Sequence, residues 1–163
     1  MAVFSQNVIT QVSGFNNPLI TGELVYNQAT YWNLVFTNGI APVTPVNLTG
    51  ATISAQIVRR TITNLQDTRT GLSFDIGNYS PTPTTINLTI TNRSDLTGAF
   101  TLVIDDSAWS LITSDPELYI NAVDPVCFSG RIKIGFPAGG GNPADDGIIF
   151  LMFLVRSDGI VVI

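Results

Sequence analysis

Two pairs of adjacent acids, Asp105-Asp106 and Asp145-Asp146, are the residues whose type and spacing first suggest chemistry. Paired carboxylates can divide general acid and base work between them or hold a divalent cation. Their surroundings point to plainer roles. Asp105-Asp106 opens Asp105–Ile112 (DDSAWSLI), which reads as one short helix with Trp109 and Ile112 three apart on one side. A carboxylate at that start caps free N–H groups and suits the positive end of the helix dipole. Asp145-Asp146 falls in the glycine-rich stretch Pro137–Gly147, where exposed acids are the ordinary outcome. Neither neighbourhood spaces further oxygen ligands as a calcium loop requires.

The remaining candidates are weighed the same way. Cys127 sits in Pro125-Val126-Cys127-Phe128 and reads as a buried small hydrophobe. The chain contains no His to activate it. No His and a single Cys also remove His-based triads, His-ligated metals, paired-Cys zinc sites and intrachain disulfides. Gly139-Gly140-Gly141 would need a following Lys-Ser/Thr and a helix N-terminus to cradle phosphate. Asn142-Pro143 and two acids follow instead, so it reads as a loop. Arg59-Arg60 reads as a solvated strand edge or an interfacial ion-pair donor. Tyr31, Trp32, Tyr79, Trp109 and Tyr119 could line a sugar site, although single aromatics on amphipathic strands more often belong to a core. The expectation is a protein that is not an enzyme, with no catalytic, cofactor-binding or metal-ligating residues and no cofactor.

Composition narrows the classes further. With 163 residues the chain has room for one domain, 1–163, with 1–17 as an extended arm set off by Asn16-Asn17-Pro18. Its formal charge of −5 gives no electrostatic footprint for phosphate backbones, so no nucleic-acid partner is expected. Only 12% of residues are charged, about half the usual share of roughly 25%. Thr and Asn together make up about a fifth of the chain, and Lys133 is its only lysine. A Thr-rich, lysine-poor β protein is suited to life packed against neighbours. The plainer alternative is an ordinary small β domain with a Thr-rich surface.

The elements that must position these residues are strands. Trp32, Leu34 and Phe36 share one face of Tyr31–Phe36. Ala51, Ile53, Ala55 and Ile57 alternate with Thr52, Ser54 and Gln56; Ile86, Leu88 and Ile90 alternate with Asn87 and Thr89. Phe100, Leu102 and Ile104 repeat the pattern, as do Ile132, Ile134 and Phe136 against Arg131 and Lys133. Ile148–Val155 (IIFLMFLV) is apolar on both faces, which predicts a central strand covered on both sides or buried at a subunit contact. Pro137–Gly147 is expected to be a long flexible hairpin loop leading into it, and Ile160–Ile163 to pair back beside it after a turn at Asp158-Gly159. Turn signals at Asn38-Gly39, Thr49-Gly50, Pro81/Pro83, Asp115-Pro116 and Asp124-Pro125 space strands about ten residues apart. The predicted fold is all-β, an antiparallel β-sandwich of immunoglobulin-like or jelly-roll-like type with one short helix near 105–112.

The opening MAVFSQNVITQVSG has neither a basic region nor a continuous apolar region, so no secretory signal is expected. The longest apolar run is Ile148–Val155, far short of the ~20 residues that span a bilayer as a helix, and no membrane partner is expected. Sequons at Asn47, Asn78, Asn87 and Asn92 are read as products of the Thr- and Asn-rich composition.

From Val46 to about Phe136 the chain resembles a module of tailed-bacteriophage virion proteins. That module opens on a D-L-T-G-x-x-x-x-x-Q-I-R segment, continues through an I-x-L-x-I strand and a short helix, and closes on G-x-I-x-I. The matching residues here are Asn47-Leu48-Thr49-Gly50, Gln56-Ile57-Val58-Arg59, Ile86-Asn87-Leu88-Thr89-Ile90, Ala108–Ile112 and Gly130-Arg131-Ile132-Lys133-Ile134. Two features depart from the pattern: Asn47 stands in place of Asp, and Pro137–Ile163 extends past the module. The resemblance implies a non-enzymatic structural protein of the virion, a tail, baseplate or fibre-docking subunit. Its implied partners are other virion proteins and copies of itself. A capsid decoration or cement protein is the close alternative, and a carbohydrate-binding module for host polysaccharide a second one from another class. The absence of His and of spaced oxygen ligands carries a direct consequence. EDTA should leave the melting temperature unchanged, and a fall of several degrees reversed by calcium would contradict it.

Overall fold

The alternating segments are strands in the computed structural model of the chain, which describes residues 9–10, 18–37, 42–68, 71–79, 84–119, 125–139, 141 and 143–157. In chain order these are β1 (Ile9–Thr10), β2 (Leu19–Leu24), β3 (Thr30–Val35), β4 (Thr52–Thr68), β5 (Gly71–Tyr79), β6 (Thr85–Ser94), β7 (Ala99–Ile104), β8 (Val126–Phe136) and β9 (Asp145–Val155). One α-helix, α1 (Asp106–Ile112), follows β7, and 3-10 turns form at Asp95–Thr97 and Pro116–Tyr119. The protein is all-β, and its sheet curls far enough to be nearly barrel-shaped.

The sheet runs in the order β1-β2-β9-β8-β4-β6-β7-β3, with β5 paired to β4 off that path. β6 makes the corner. Its first residues pair with β4, from Thr85↔Val58 to Leu88↔Ala55, and its later ones with β7, from Thr89↔Val103 onward. Changing partner midway lets the two ends of the sheet fold toward each other. Trp32 of β3 consequently stacks on Phe153 of β9, with ring centroids 5.0 Å apart and planes 24° apart.

The inward positions are those that alternation marks. Ala51 just before β4, Ala55 and Ile57 on β4, Ile86 and Leu88 on β6, Phe100, Leu102 and Ile104 on β7, and Ile132 and Ile134 on β8 are all buried. Arg131 and Lys133 point outward and are exposed. The helix starts where expected: Asp105 caps it, its carboxylate accepting from the Ser107 and Ala108 N–H groups. Trp109 and Ile112 face the core from one side of it.

Three expectations change. The sheet is not antiparallel throughout, because β2 runs parallel to β9 from Leu19↔Phe150 to Leu24↔Val155. Strands so far apart in sequence need no hairpin between them, so their direction is decided by packing. The same pairing corrects the partner of Ile148–Val155. That strand is central, as its composition requires, but β2 fills the edge opposite β8. Ile160–Ile163 itself lies outside the described residues, as do most of residues 1–17. Finally, β9 begins at Asp145, because Phe136↔Asp145 and Gly135↔Asp146 already pair. The hairpin connection is therefore 137–144, and strand pairing takes in Asp145 to Gly147.

β4 and β8 approach more closely at one point than any side chain allows. A Cβ on Gly130 would stand 1.8 Å from the Gln56 carbonyl oxygen and 2.7 Å from the Ile57 Cα. Both are backbone atoms, so relief requires moving a strand. Gly130→Ala should therefore destabilise at or beyond the upper end of the ~1–3 kcal/mol typical of overpacking. Gly22→Ala, where nothing lies within 4 Å of the new carbon, should change stability by no more than about 0.5 kcal/mol. Urea denaturation of the two variants checks this, and equal midpoints would refute the close approach.

Candidate functional site

The acid pairs take structural positions. Asp105 accepts hydrogen bonds from the Ser107 hydroxyl at 2.6 Å and from the Thr89 hydroxyl, besides the two backbone N–H groups it caps. The Ser107 hydroxyl, then the Thr89 hydroxyl and the Ala108 N–H, hold its carboxyl at about 2, below the ordinary carboxylate range. A group held so firmly ionised is a poor general acid at neutral pH. Asp145 accepts from the Asp146 N–H at 2.8 Å, and Asp146 pairs with exposed Lys133 at 3.0 Å across the β8–β9 hairpin. Among the described residues no group of three or more His, Cys, Asp or Glu side chains converges as a metal site would require.

Cys127 is fully buried on β8. Burial pushes its thiol up to about 11, with the Arg60 guanidinium pulling weakly the other way. Gly139 and Gly141 stand in the β8–β9 connection, with open space around each.

The two arginines diverge, and here the reading of a solvated edge is corrected. Arg59 occupies the inward register of β4, two residues beyond Ile57, and is 6% exposed. Its Nε lies 2.6 Å from the Asp115 carboxylate, which is itself largely buried just after α1. The pair ties the middle of β4 to the segment leaving the helix. Alternation from Ala51 through Ile57 already carried this signal, since position 59 falls on the same face. Arg60, on the other face, donates from Nε to the Ser129 hydroxyl at 2.7 Å.

Of the aromatic residues, both tryptophans belong to the core. Trp32 stacks on Phe153, and Trp109 is 1% exposed with its indole N–H donated to the Gln28 carbonyl at 2.7 Å. Tyr26 meets Trp109 edge-on, and its hydroxyl lies 2.9 Å from that of Tyr119. Tyr119 is about half exposed but donates to the Thr113 carbonyl at 2.8 Å. The hydrogen bond with Tyr26, with burial adding to it, raises its phenol to about 12. The Tyr79 side chain lies outside the described ones.

The described surface therefore offers contact features more than reactive ones. The outward face of β9 presents Ile148, Phe150 and Met152, all half-buried. β4 continues past Arg60 to pair with β5 alone, making a two-stranded arm off the path of the main sheet. β3 ends the sheet order, and the exposed large hydrophobic residues include Val25, Val35, Val43 and Leu96. The sequence reading missed β2, β5 and the length of β4. In β4–β5 the register shifts at Arg60/Ile62 and Ile62/Asn64 break the alternation that would have revealed them.

No family model matches the chain, and no curated protein matches it.

Removing one partner of a buried ion pair leaves the other charge poorly compensated. Asp115→Ala should therefore cost about 3 kcal/mol in chemical denaturation, and the double variant Arg59→Met/Asp115→Ala clearly less than the single one. A single variant as stable as the parent would show that the pair holds nothing together.

Proposed function

We propose that this protein is a non-enzymatic structural subunit of a tailed-bacteriophage virion, at a tail, baseplate or fibre-docking site, acting through protein–protein contacts with other virion proteins and with copies of itself. One observation carries the reading. Each segment of the resemblance falls within one turn, strand or helix, with the I-x-L-x-I and G-x-I-x-I segments on strands and the helical segment on α1. Asn47–Gly50 forms the turn into β4, and the Asn47 side chain accepts from the Thr49 N–H at 2.9 Å. Gln56–Arg59 lies in β4, Ile86–Ile90 in β6, Ala108–Ile112 in α1, and Gly130–Ile134 in β8. Arg59 and Gly130, two positions of that pattern, make the inward ion pair and the close strand approach described above.

In this reading the curled sheet is a β-sandwich of immunoglobulin-like or jelly-roll-like type, with β6 passing from one layer to the other. The contact features fit the role. An arm that leaves the main sheet, an apolar outward strip on β9 and a lysine-free edge strand are surfaces that neighbours would cover. The alternative position in the particle, a capsid decoration or cement protein, uses the same surfaces. The carbohydrate-binding alternative draws less support, because both indoles suited to stacking on sugars are packed in the core.

Quantitative mass spectrometry of purified virions tests the proposal. The protein should be present in a fixed copy number per particle, and a small multiple set by tail symmetry places it at the tail. A number scaling with the capsid shell assigns it to decoration instead. Its absence from intact particles overturns the proposal.

A further inference from the structure

We propose that residues 105–119, the helix α1 with the turn after it, form a strap over the core that acid releases, because a carboxylate fastens it to the sheet at each end. The device belongs to the fold itself and does not rest on the virion reading.

The strap leaves β7 at Asp105 and lays Ala108, Trp109, Ile112 and Leu118 into the core, all of them buried. Its carboxylates reach two different strands. At the start, Asp105 accepts from the Thr89 hydroxyl on β6, from the Ser107 hydroxyl, and from the Ser107 and Ala108 N–H groups. One group thus caps the helix and ties it to the sheet. Beyond the helix, Asp115 meets Arg59 of β4 at 2.6 Å, both side chains largely buried. The Asp115 N–H donates to the Ile112 carbonyl and the Leu118 N–H to the Asp115 carbonyl, each at 3.2 Å. The ion pair is therefore built into the end of the helix.

Protonation loosens both attachments. A neutral carboxyl carries a proton of its own, which opposes the donors gathered around Asp105, and at Asp115 it removes the charge that compensates a buried guanidinium. Its donors, the Ser107 hydroxyl first, hold Asp105 at about 2, against 3.8 for the free group. A carboxyl depressed in the closed form stabilises that form at higher pH, and the stabilisation is lost as the pH falls from the open-state value toward the closed-state one. From Asp105 alone, the opening equilibrium should rise roughly thirtyfold between about pH 5 and about pH 2.

Few other charges bear on these groups. Asp106 adjoins Asp105 and is exposed, and Glu117 belongs to the same segment, its side chain outside the described ones. β7 carries no ionisable residue, and Arg93 of β6 pairs with Asp95. Arg60, on the other face of β4, donates to the Ser129 hydroxyl. Two further ties of the strap run to the turn between β2 and β3. The Trp109 indole donates to the Gln28 carbonyl at 2.7 Å, and the Tyr119 and Tyr26 hydroxyls lie 2.9 Å apart. Both join groups that stay neutral in acid, and the chain has no His, so the response falls to the carboxylates.

Hydrogen exchange of the full chain from pH 5 to pH 2, corrected for the intrinsic pH dependence of exchange, tests this. The strap amides should lose protection by at least the thirtyfold derived above, while those of β8 and β9 keep theirs. Ser107→Ala, at an exposed position, removes the leading donor to Asp105 and should move the loss to higher pH. Asp105→Asn keeps a capping oxygen without the charge and should cut the rise severalfold. Asp145→Asn, an exposed acid on β9, should leave the profile unchanged. Strap and strands losing protection together at one pH would mean global unfolding and overturn the proposal. A strap still protected at pH 2 overturns it too, as does a rise indifferent to both Ser107→Ala and Asp105→Asn.

Discussion

The sheet depends on how close β4 can come to β8, and that distance is set by the missing side chain of Gly130. β4 is paired with β8 from Thr52↔Gly135 to Arg60↔Cys127 and carries β6 and then β5 on its other edge. β8 in turn carries β9 along its full length. A displacement between β4 and β8 would therefore separate the half of the sheet holding β9 and β2 from the half holding β6, β7 and β3. The two halves also meet through the core, where Trp32 stacks on Phe153, so a change at one backbone contact is felt in the other half as well.

Closure at the ends relies on polar groups used sparingly. Arg59 enters the interior only because Asp115 meets it, and Asp115 is where it is because α1 and the turn after it are held in place. The helix is held by Asp105 at its start and by the burial of Trp109 and Ile112. Thr89 on β6 donates to the same Asp105 carboxylate, so the corner strand and the helix cap share one group. Arg59, Asp105 and Asp115 thus act as fasteners between elements.

What remains on the described surface is a set of contact features with little chemistry among them. The acids are capped, paired or exposed singly, the thiol is buried and protonated, and the indoles are packed. Against this stand an unpaired neutral edge, an apolar outward strip and a two-stranded arm.

The sequence by itself determined the strands whose faces differ in polarity and the capped helix. Alternation through Ala51–Ile57, Ile86–Ile90, Phe100–Ile104 and Ile132–Phe136 is a local consequence of the two-residue period, and Asp105 with Trp109 and Ile112 is a local consequence of the helical one. It also determined that Ile148–Val155 is a central strand or one buried at a subunit contact, because a strand apolar on both faces cannot sit at a wet edge. Only the tertiary structure decided which strand lies beside it. β2 and β9 are separated by more than a hundred residues, no hairpin joins them, and the choice of a parallel β2 follows from packing the whole sheet. The inward turn of Arg59 was half legible: its parity pointed inside, but the partner that makes burial tolerable, Asp115, is far along the chain. The bend of β6 and the close approach at Gly130 were not legible, since both are properties of two backbones meeting, and a sequence records only one of them at a time.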